Sequence, residues 1–254
     1  MFKSCLHFTY AFLLITSISC NLSCRKKDVE PTKPGTENRP DLGDDILYMY
    51  DAPNILNLSF KDTVTDIGPL KHKLIAENVV PRSDSSMERG YFSGSSYIAI
   101  PHKTILNFVD KKLTFSAWIK PEVTSGSYIF EKPADFNGGG PYSLDIYPGR
   151  ARAFLYKSDG GLIELYGSTN IVKNEWQHIA LTVDGDTARL FYNGYMEDQA
   201  IIKGDLERSS KDLYIGTYKW AHPSAAYKGW IKNCKIFSFP LAPSLVKEMY
   251  TAGK

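Results

Sequence analysis

The sequence has few cysteines and no excess of either charge, and both scarcities restrict what the protein can be. Only four cysteines are present, and Cys5, Cys20 and Cys24 fall near the N-terminus. The rest of the chain has Cys234 alone, so no disulfide framework can form within it. Lysine and arginine number 30 against 28 aspartate and glutamate, which gives a formal charge of +2. This near balance excludes a strongly basic nucleic-acid binder.

Long apolar runs are also scarce, and the one at the N-terminus has the three parts of an export signal. Lys3 gives a positive start, residues 8–18 are almost wholly apolar but too few to span a membrane comfortably, and a small serine directly precedes Cys24. This Ser-Cys followed by basic residues resembles a lipoprotein signal of the Bacteroidetes type. The resemblance implies that residues 1–23 are removed and that Cys24, or alternatively Cys20, carries the lipid. We expect a protein exported to the bacterial cell envelope, anchored at the outer membrane by lipid only; a plain cleaved signal would also export it.

A polar stretch separates this signal from the rest of the chain. Residues 24–45 are rich in proline, glycine and charge, so we expect a flexible, solvated tether. From about Ile46, short runs of β-branched and aromatic residues are broken by Gly, Asn, Asp or Pro roughly every ten residues. This spacing predicts an all-β domain over residues 46–254, a sandwich or jelly roll of antiparallel strands. The predicted strands are 55–60, 72–76, 96–100, 113–120, 127–132, 142–147, 150–157, 162–166, 176–184, 187–193, 195–201, 212–217 and 228–238.

Two hairpins and one helix are specified locally. Asp184-Gly185-Asp186 separates two apolar runs, and Asn193-Gly194 separates the second from a third. Asn-Gly supplies the positive φ angles of a tight type I′ turn, so three consecutive antiparallel strands are predicted. Pro243 suits a first helical position, and apolar residues four apart follow it. We therefore predict a short C-terminal helix that caps an open end of the sandwich.

Five sequence blocks occur in an order that resembles a known family. They are GSSYIAIP (94–101), LTFSAWIKP (113–121), NEWQHIALTVDGDTARLFYNG (174–194), LYIGT (213–217) and KGWIKNCKIFSFPLAPSLVKEMY (228–250). Together they resemble the concanavalin A-like lectin/glucanase superfamily, in its laminin G-like and pentraxin-like branch. The resemblance implies a two-sheet antiparallel jelly roll whose first and last strands pair. Because lectins, carbohydrate-binding modules, adhesion modules and hydrolases share this scaffold, the fold does not settle the function.

The carboxylates do not follow the pattern of the hydrolases on this scaffold. Those enzymes resemble one another in a Glu-x-Asp-x-x-Glu strand, which aligns alternate carboxylates for a retaining mechanism. Here Glu131 and Asp135 have the wrong spacing with a proline between them, and Glu164 stands alone. A non-catalytic module is therefore favoured. His178 lies within a strand without an acidic or cysteine neighbour and is predicted to be structural, as is Cys234, a small buried apolar residue.

Calcium is the cofactor that the resemblance implies. Related domains hold this ion with oxygen ligands where the loop after the first strand meets the last strand. Asp62 and Asp66 occupy that loop, and Asn233 on the last strand is the third candidate ligand. The family's usual acidic pair on the last strand is replaced here by Lys232 and Asn233, which weakens the site. The alternative is that the aspartates are solvated turn residues.

Two loops carry aromatic residues suited to stacking on a sugar ring. The first has Trp220 with Tyr218, His222 and Tyr227, and the alternative for Trp220 is that it folds onto the sandwich edge. A second loop has Phe136, Asn137 and Tyr142. The strand residues Arg150, Arg152 and Tyr156 are expected to line an adjoining face. Trp118, Trp176 and Trp230 lie within strands and are predicted to be mostly core.

Three functions follow from these patterns. The first is a non-catalytic envelope module that binds carbohydrate. The second is a module that binds an envelope protein or mediates adhesion. The third is a glycoside hydrolase with atypical carboxylates.

Overall fold

The computed structural model describes residues 54–135, 140–217, 221 and 225–254. The predicted signal, the tether and both candidate anchor cysteines therefore lie outside the described residues. The strands are β1 (Asn54–Ser59), β2 (Thr65–Asp66), β3 (Ile75–Glu77), β4 (Val80–Ser83), β5 (Glu88–Ser93), β6 (Tyr97–Ile100), β7 (Lys112–Pro121), β8 (Ser127–Lys132), β9 (Tyr142–Ile146), β10 (Arg150–Tyr156), β11 (Leu162–Asn170), β12 (Gln177–Asp184), β13 (Thr187–Tyr192), β14 (Tyr195–Ile201), β15 (Leu213–Ile215) and β16 (Lys228–Phe237). A 3-10 turn (Thr104–Asn107) precedes β7, and the chain ends in helix α1 (Pro243–Ala252).

The strands of the described residues form two antiparallel sheets. One sheet has nine strands, seven of them in the order β14-β13-β12-β7-β16-β1-β2, with β5 also on β16 and β4 on β5. The other has seven strands in the order β11-β10-β9-β8-β15-β6-β3. The first strand pairs with the last, with Asn57 opposite Lys235. The predicted jelly-roll sandwich with a short C-terminal helix is confirmed.

The predicted three-strand meander is confirmed in register and in turn type. Leu181 of β12 lies opposite Leu190 of β13, and Tyr192 of β13 lies opposite Tyr195 of β14. Asn193 and Gly194 both have positive φ, 49° and 77°, as a type I′ turn requires.

One core fills the space between the two sheets. Alternate residues of β12 point into it, namely Ile179, Leu181 and Val183, and all three are fully buried. From the other sheet come Leu144 and Ile146 of β9, together with alternate residues of β10. Because alternation sends every second side chain to the core, the intervening residues of β9 and β10 must lie on the outer surface of the seven-stranded sheet.

Helix α1 covers the outer face of the nine-stranded sheet instead of capping an end of the sandwich, which corrects the prediction. Its Val246 packs with Ala180 and Phe191 of the sheet. The Tyr250 ring stacks on Trp118 at 5.5 Å between centroids and 13° between planes. The apolar stripe of the helix requires an apolar partner, and the outward-facing residues of β7, β12 and β13 provide it.

Carboxylates from β14 bind the exposed edge of β11. The Asp198 carboxylate accepts a hydrogen bond from the Tyr166 amide at 2.9 Å, and the Glu197 carboxylate accepts one from the Ser168 amide at 2.9 Å. Glu197 also accepts hydrogen bonds from the amide and hydroxyl of Thr169. Side chains thus join the two sheets along a side where no strand pairs with β11.

Among the helices in the described part of the chain, none is both long enough and apolar enough to cross a membrane.

Candidate functional site

The outer surface of the seven-stranded sheet carries a set of aromatic and charged side chains, here called the aromatic face. Its aromatic members are Tyr97, Tyr128, Tyr147, Phe154, Tyr156, Tyr166 and Tyr214, and its charged members are Glu131, Asp145, Arg152 and Glu164. They come from six strands and the turn after β9. No helix of the described residues packs on this face, in contrast to the nine-stranded sheet.

Strand register aligns these residues in two rows across the sheet. The first row runs from Tyr214 to Glu131, Ser143, Phe154 and Glu164, each directly opposite the next. A second, parallel row is formed by Tyr128, Asp145, Arg152 and Tyr166. Residues opposite one another on adjacent strands are close enough for their side chains to touch, so the face is continuous.

Arg152 fixes the centre of the face. Its guanidinium donates two hydrogen bonds to the Asp145 carboxylate, at 3.0 and 2.6 Å, and lies 3.7 Å from a Glu164 oxygen. The guanidinium carbon also lies 4.4 Å from the centroid of the Tyr147 ring and 5.4 Å from that of Phe154. A planar cation held by a fork of hydrogen bonds and two rings has little freedom left. The polar centre is therefore preorganised.

Two rings beside this centre are open to solvent. Tyr147 is 46% exposed and Tyr166 is 40% exposed. The Tyr166 hydroxyl donates to Glu164 at 3.0 Å, which orients its ring. Oriented, partly exposed rings beside charged groups are the combination that sugar stacking requires.

Glu131 and Ser143 form the buried part of the first row. They lie directly opposite each other on β8 and β9, and both are buried. Burial raises the pKa of Glu131 to about 8; the Asp145 charge acts in the same direction, and a hydrogen bond with the Ser143 side chain opposes it. Glu131 therefore retains its proton at neutral pH.

The carboxylates of this face are not arranged for glycoside hydrolysis. Both Asp145 oxygens are engaged by Arg152, and Glu131 is only 4% exposed. A nucleophile and an acid must both reach the scissile bond. Neither of these groups presents an oxygen at an open surface.

The residues predicted to stack on a ligand fall into two groups, those outside the described part of the chain and those buried in the core. Tyr218, Trp220, His222 and Phe136 lie outside the described residues. Tyr142 and Tyr227 are fully buried, and their hydroxyls donate to the carbonyls of Leu106 and Trp230. The prediction that these two tyrosines stack on a ligand is wrong, because both rings belong to the core.

The three strand residues predicted for an adjoining face, Arg150, Arg152 and Tyr156, point away from the core, because Ala151, Ala153 and Leu155 point into it. Arg152 and Tyr156 belong to the aromatic face. Sequence reasoning missed Glu131, Asp145 and Tyr166 as members of the same surface. The alternation of polar residues along the predicted strands 142–147 and 162–166 could have found Asp145 and Tyr166, whereas a register shift in β8 removes that signal for Glu131.

His178 and Cys234 are structural, as predicted. His178 is buried, its Nε2 lies 2.9 Å from Ser116 Oγ, and burial lowers its pKa to about 4. Cys234 is a free, buried thiol whose pKa is raised by the same cause. A thiol that stays protonated inside the core behaves as a small apolar side chain.

The three predicted calcium ligands have different surroundings. Asp66 Oδ1 accepts hydrogen bonds from the amides of Asn57 and Gly68 at 3.0 and 2.8 Å, and its Oδ2 accepts one from the His72 amide at 2.8 Å. The Asp66 carboxylate therefore organises the loop. Asp62 and Asn233 are exposed. The described residues contain no group of three or more His, Cys, Asp or Glu able to hold a metal ion.

Solved structures share this fold. The binding domain of Paraclostridial Mosquitocidal Protein 1 superposes with a TM-score of 0.66 at 16% identity, over 80% of this chain and 52% of that one. The receptor-binding domain of botulinum neurotoxin type G gives a TM-score of 0.61 at 16% identity, over 80% and 52%. The present chain thus spans about half the length of these toxin domains.

A third structure matches over nearly its whole length. Domain 4 of AbnA, a GH43 extracellular arabinanase from Geobacillus stearothermophilus, was solved in complex with arabinotriose. It superposes with a TM-score of 0.61 at 19% identity, over 78% of this chain and 98% of that one.

Sequence comparison gives the family. Comparison with curated proteins yields no match. A laminin G-like model of the concanavalin A-like lectin/glucanase superfamily matches residues 92–247, which is more than half of the chain. The match runs from β5 into helix α1 and so includes the whole aromatic face. The chain belongs to the concanavalin A-like lectin/glucanase superfamily.

Proposed function

We propose that this protein is a non-catalytic carbohydrate-binding module, exported and held in the bacterial cell envelope by a lipid on Cys24, and that it binds glycan on the aromatic face. The observation that carries the proposal is the pair of exposed, oriented tyrosines, Tyr147 and Tyr166, beside the fixed Arg152 centre. Rings stack on the C–H face of a sugar, and charged groups bind its hydroxyls. The arabinotriose complex of the AbnA domain supports this choice of ligand class.

The aromatic loop around Trp220 follows β15, which is itself a strand of the seven-stranded sheet. We propose that Trp220 contributes a further stacking surface to the same ligand.

A glycan array tests the proposal, followed by calorimetry on each hit, with the full chain and three variants. Tyr166→Ala and Trp220→Ala should each weaken binding about tenfold, the equivalent of ~1.4 kcal/mol for one lost stacking contact. The control is Tyr195→Ala, which removes a tyrosine that is 64% exposed on the other sheet and should leave affinity unchanged.

The alternatives give different results. Unchanged affinity in both Tyr166→Ala and Trp220→Ala would place the glycan elsewhere. Absence of any glycan ligand would overturn the proposal. Recovery of one envelope protein by crosslinking would then support the adhesion function, a reading that agrees with the receptor-binding toxin domains of the same fold.

A further inference from the structure

A concave surface lies on the nine-stranded sheet, where the calcium site was expected. It is an open groove of about 740 Å³ between β1, the β4–β5 hairpin, β16 and the end of helix α1. Four lysines line it, namely Lys61, Lys232, Lys235 and Lys254. It is here called the lysine groove.

A β-bulge in β16 directs two of these lysines to the same side. The register of β16 against β7 shifts between Lys232 and Lys235, and Asn233 has a φ of 48°. Cys234 and Ile236 nevertheless face the core. The extra residue therefore restores the alternation, so that Lys232 and Lys235 both lie on the outer side of the sheet. Lys235 is half-buried, whereas Lys232 is buried beneath the end of helix α1.

The two acidic residues that line the groove are occupied by other partners. Asp84 accepts hydrogen bonds from the amide and hydroxyl of Ser86, from the Met87 amide and from the Arg89 guanidinium. Glu88 Oε2 accepts from the Ser59 hydroxyl at 2.6 Å and from the Phe60 amide at 3.2 Å. Neither carboxylate is directed at a lysine of the groove.

The lysines, by contrast, are not paired with acids: none of the four forms a salt bridge within the described part of the chain. The Lys232 ammonium is fixed: it donates to the Gly253 carbonyl at 2.9 Å and lies 5.1 and 4.8 Å from the ring centroids of Trp118 and Trp176. The side chains of Lys61 and Lys254 are exposed and that of Lys235 is half-buried. Four lysines against two carboxylates leave the groove with a net positive charge, which attracts anions.

The remaining lining indicates the class of anion. An open groove of about 740 Å³ has room for an organic molecule. Asn57, Asn233 and Ser85 add amide and hydroxyl groups that bind hydroxyls. Acidic sugars carry both kinds of matching group: carboxylates that pair with lysines, and hydroxyls that bond to amide and hydroxyl groups.

We infer that the lysine groove is a second ligand site, which binds an acidic oligosaccharide through its carboxylates without a metal ion. The site lies on the nine-stranded sheet, whereas the aromatic face lies on the other, so the inference does not depend on glycan binding at the aromatic face.

Binding of tri-galacturonate to the full chain tests the inference, measured by calorimetry at low salt with EDTA present. Lys61→Gln/Lys235→Gln removes two lysines of the groove without touching Lys232. The affinity of this variant for tri-galacturonate should be roughly fivefold to thirtyfold lower than that of the wild type, as expected for the loss of two surface ion pairs of up to ~1 kcal/mol each. Lys173→Gln/Lys203→Gln removes the same charge from exposed positions outside the groove and should bind as the wild type does. The neutral methyl ester of the same trimer should bind at least fivefold more weakly than the acid.

Other outcomes overturn the inference. They are equal losses in the two lysine variants, a requirement for calcium, or no binding of tri-galacturonate. Loss of phosphatidylglycerol-vesicle binding in the groove variant, without tri-galacturonate binding, would assign the groove to lipid headgroups instead. Tyr166→Ala separates the two sites: it should leave tri-galacturonate binding intact, so failure of the aromatic-face proposal would not affect this result.

Discussion

Replacing Glu131 with glutamine should stabilise the folded chain by an amount that grows with pH. The carboxyl group is buried, and its pKa rises from 4.5 to about 8 on folding because of that burial. Glutamine has the same shape and no charge at any pH. The substitution therefore removes the ionisation and keeps the packing.

The size of the effect follows from the difference between the folded and unfolded pKa values. Between pH 4.5 and about pH 8 the unfolded chain has released this proton and the folded chain retains it. Stability is then lost as pH rises, by at most ~1.4 kcal/mol per pH unit. From pH 5 to pH 8 the unfolding free energy of Glu131→Gln should gain about 3 kcal/mol relative to the wild type.

Urea unfolding of both proteins at half-unit steps of pH measures this difference. His178, whose pKa falls from 6.5 to about 4 on folding, destabilises both proteins equally as pH decreases through that interval, so its contribution cancels. Glu164→Gln is the control: this carboxylate lies on the same face with its side chain 37% exposed, and its removal should change the free energy by less than ~1 kcal/mol at every pH. A Glu131→Gln difference that is constant with pH would refute the reasoning.

Three further predictions concern other parts of the molecule. Asp66→Ala should lower the unfolding free energy by about 3 kcal/mol or more in urea, because three backbone amides lose their acceptor. Gly216→Ala should cost more than Gly204→Ala in thermal unfolding: both glycines have positive φ, but a Cβ at Gly216 would lie 2.5 Å from an aromatic ring and one at Gly204 meets nothing within 4 Å. Cys24→Ser should move the chain from the membrane to the soluble fraction, and loss of membrane attachment in Cys20→Ser instead would transfer the anchor to Cys20.

Much of the fold could be predicted because its signals are local. Asn193-Gly194 specifies a turn within two residues, and the alternation of Ile179, Leu181 and Val183 assigns a core face within five. Strands β2, β4 and β5 were missed. They are short or polar, and distant side chains help to hold them, as Asp66 and Glu88 do through backbone amides elsewhere in the chain.

The site could not be predicted to the same extent because it depends on register. Glu131 has no suitable acidic neighbour along the sequence, and its true neighbours Ser143 and Asp145 become visible only when β8 and β9 are paired. The lysine groove was hidden for a similar reason. The bulge at Asn233 changes which side chains of β16 face outward, and no sequence signal marked it.

The carboxylates on the edge of β11 have a consequence for crowded copies of this domain. Amide groups that already donate hydrogen bonds to Glu197 and Asp198 cannot donate them to a strand of another chain. This edge therefore resists intermolecular sheet growth. Closely packed copies of the domain would therefore stay separate along this edge.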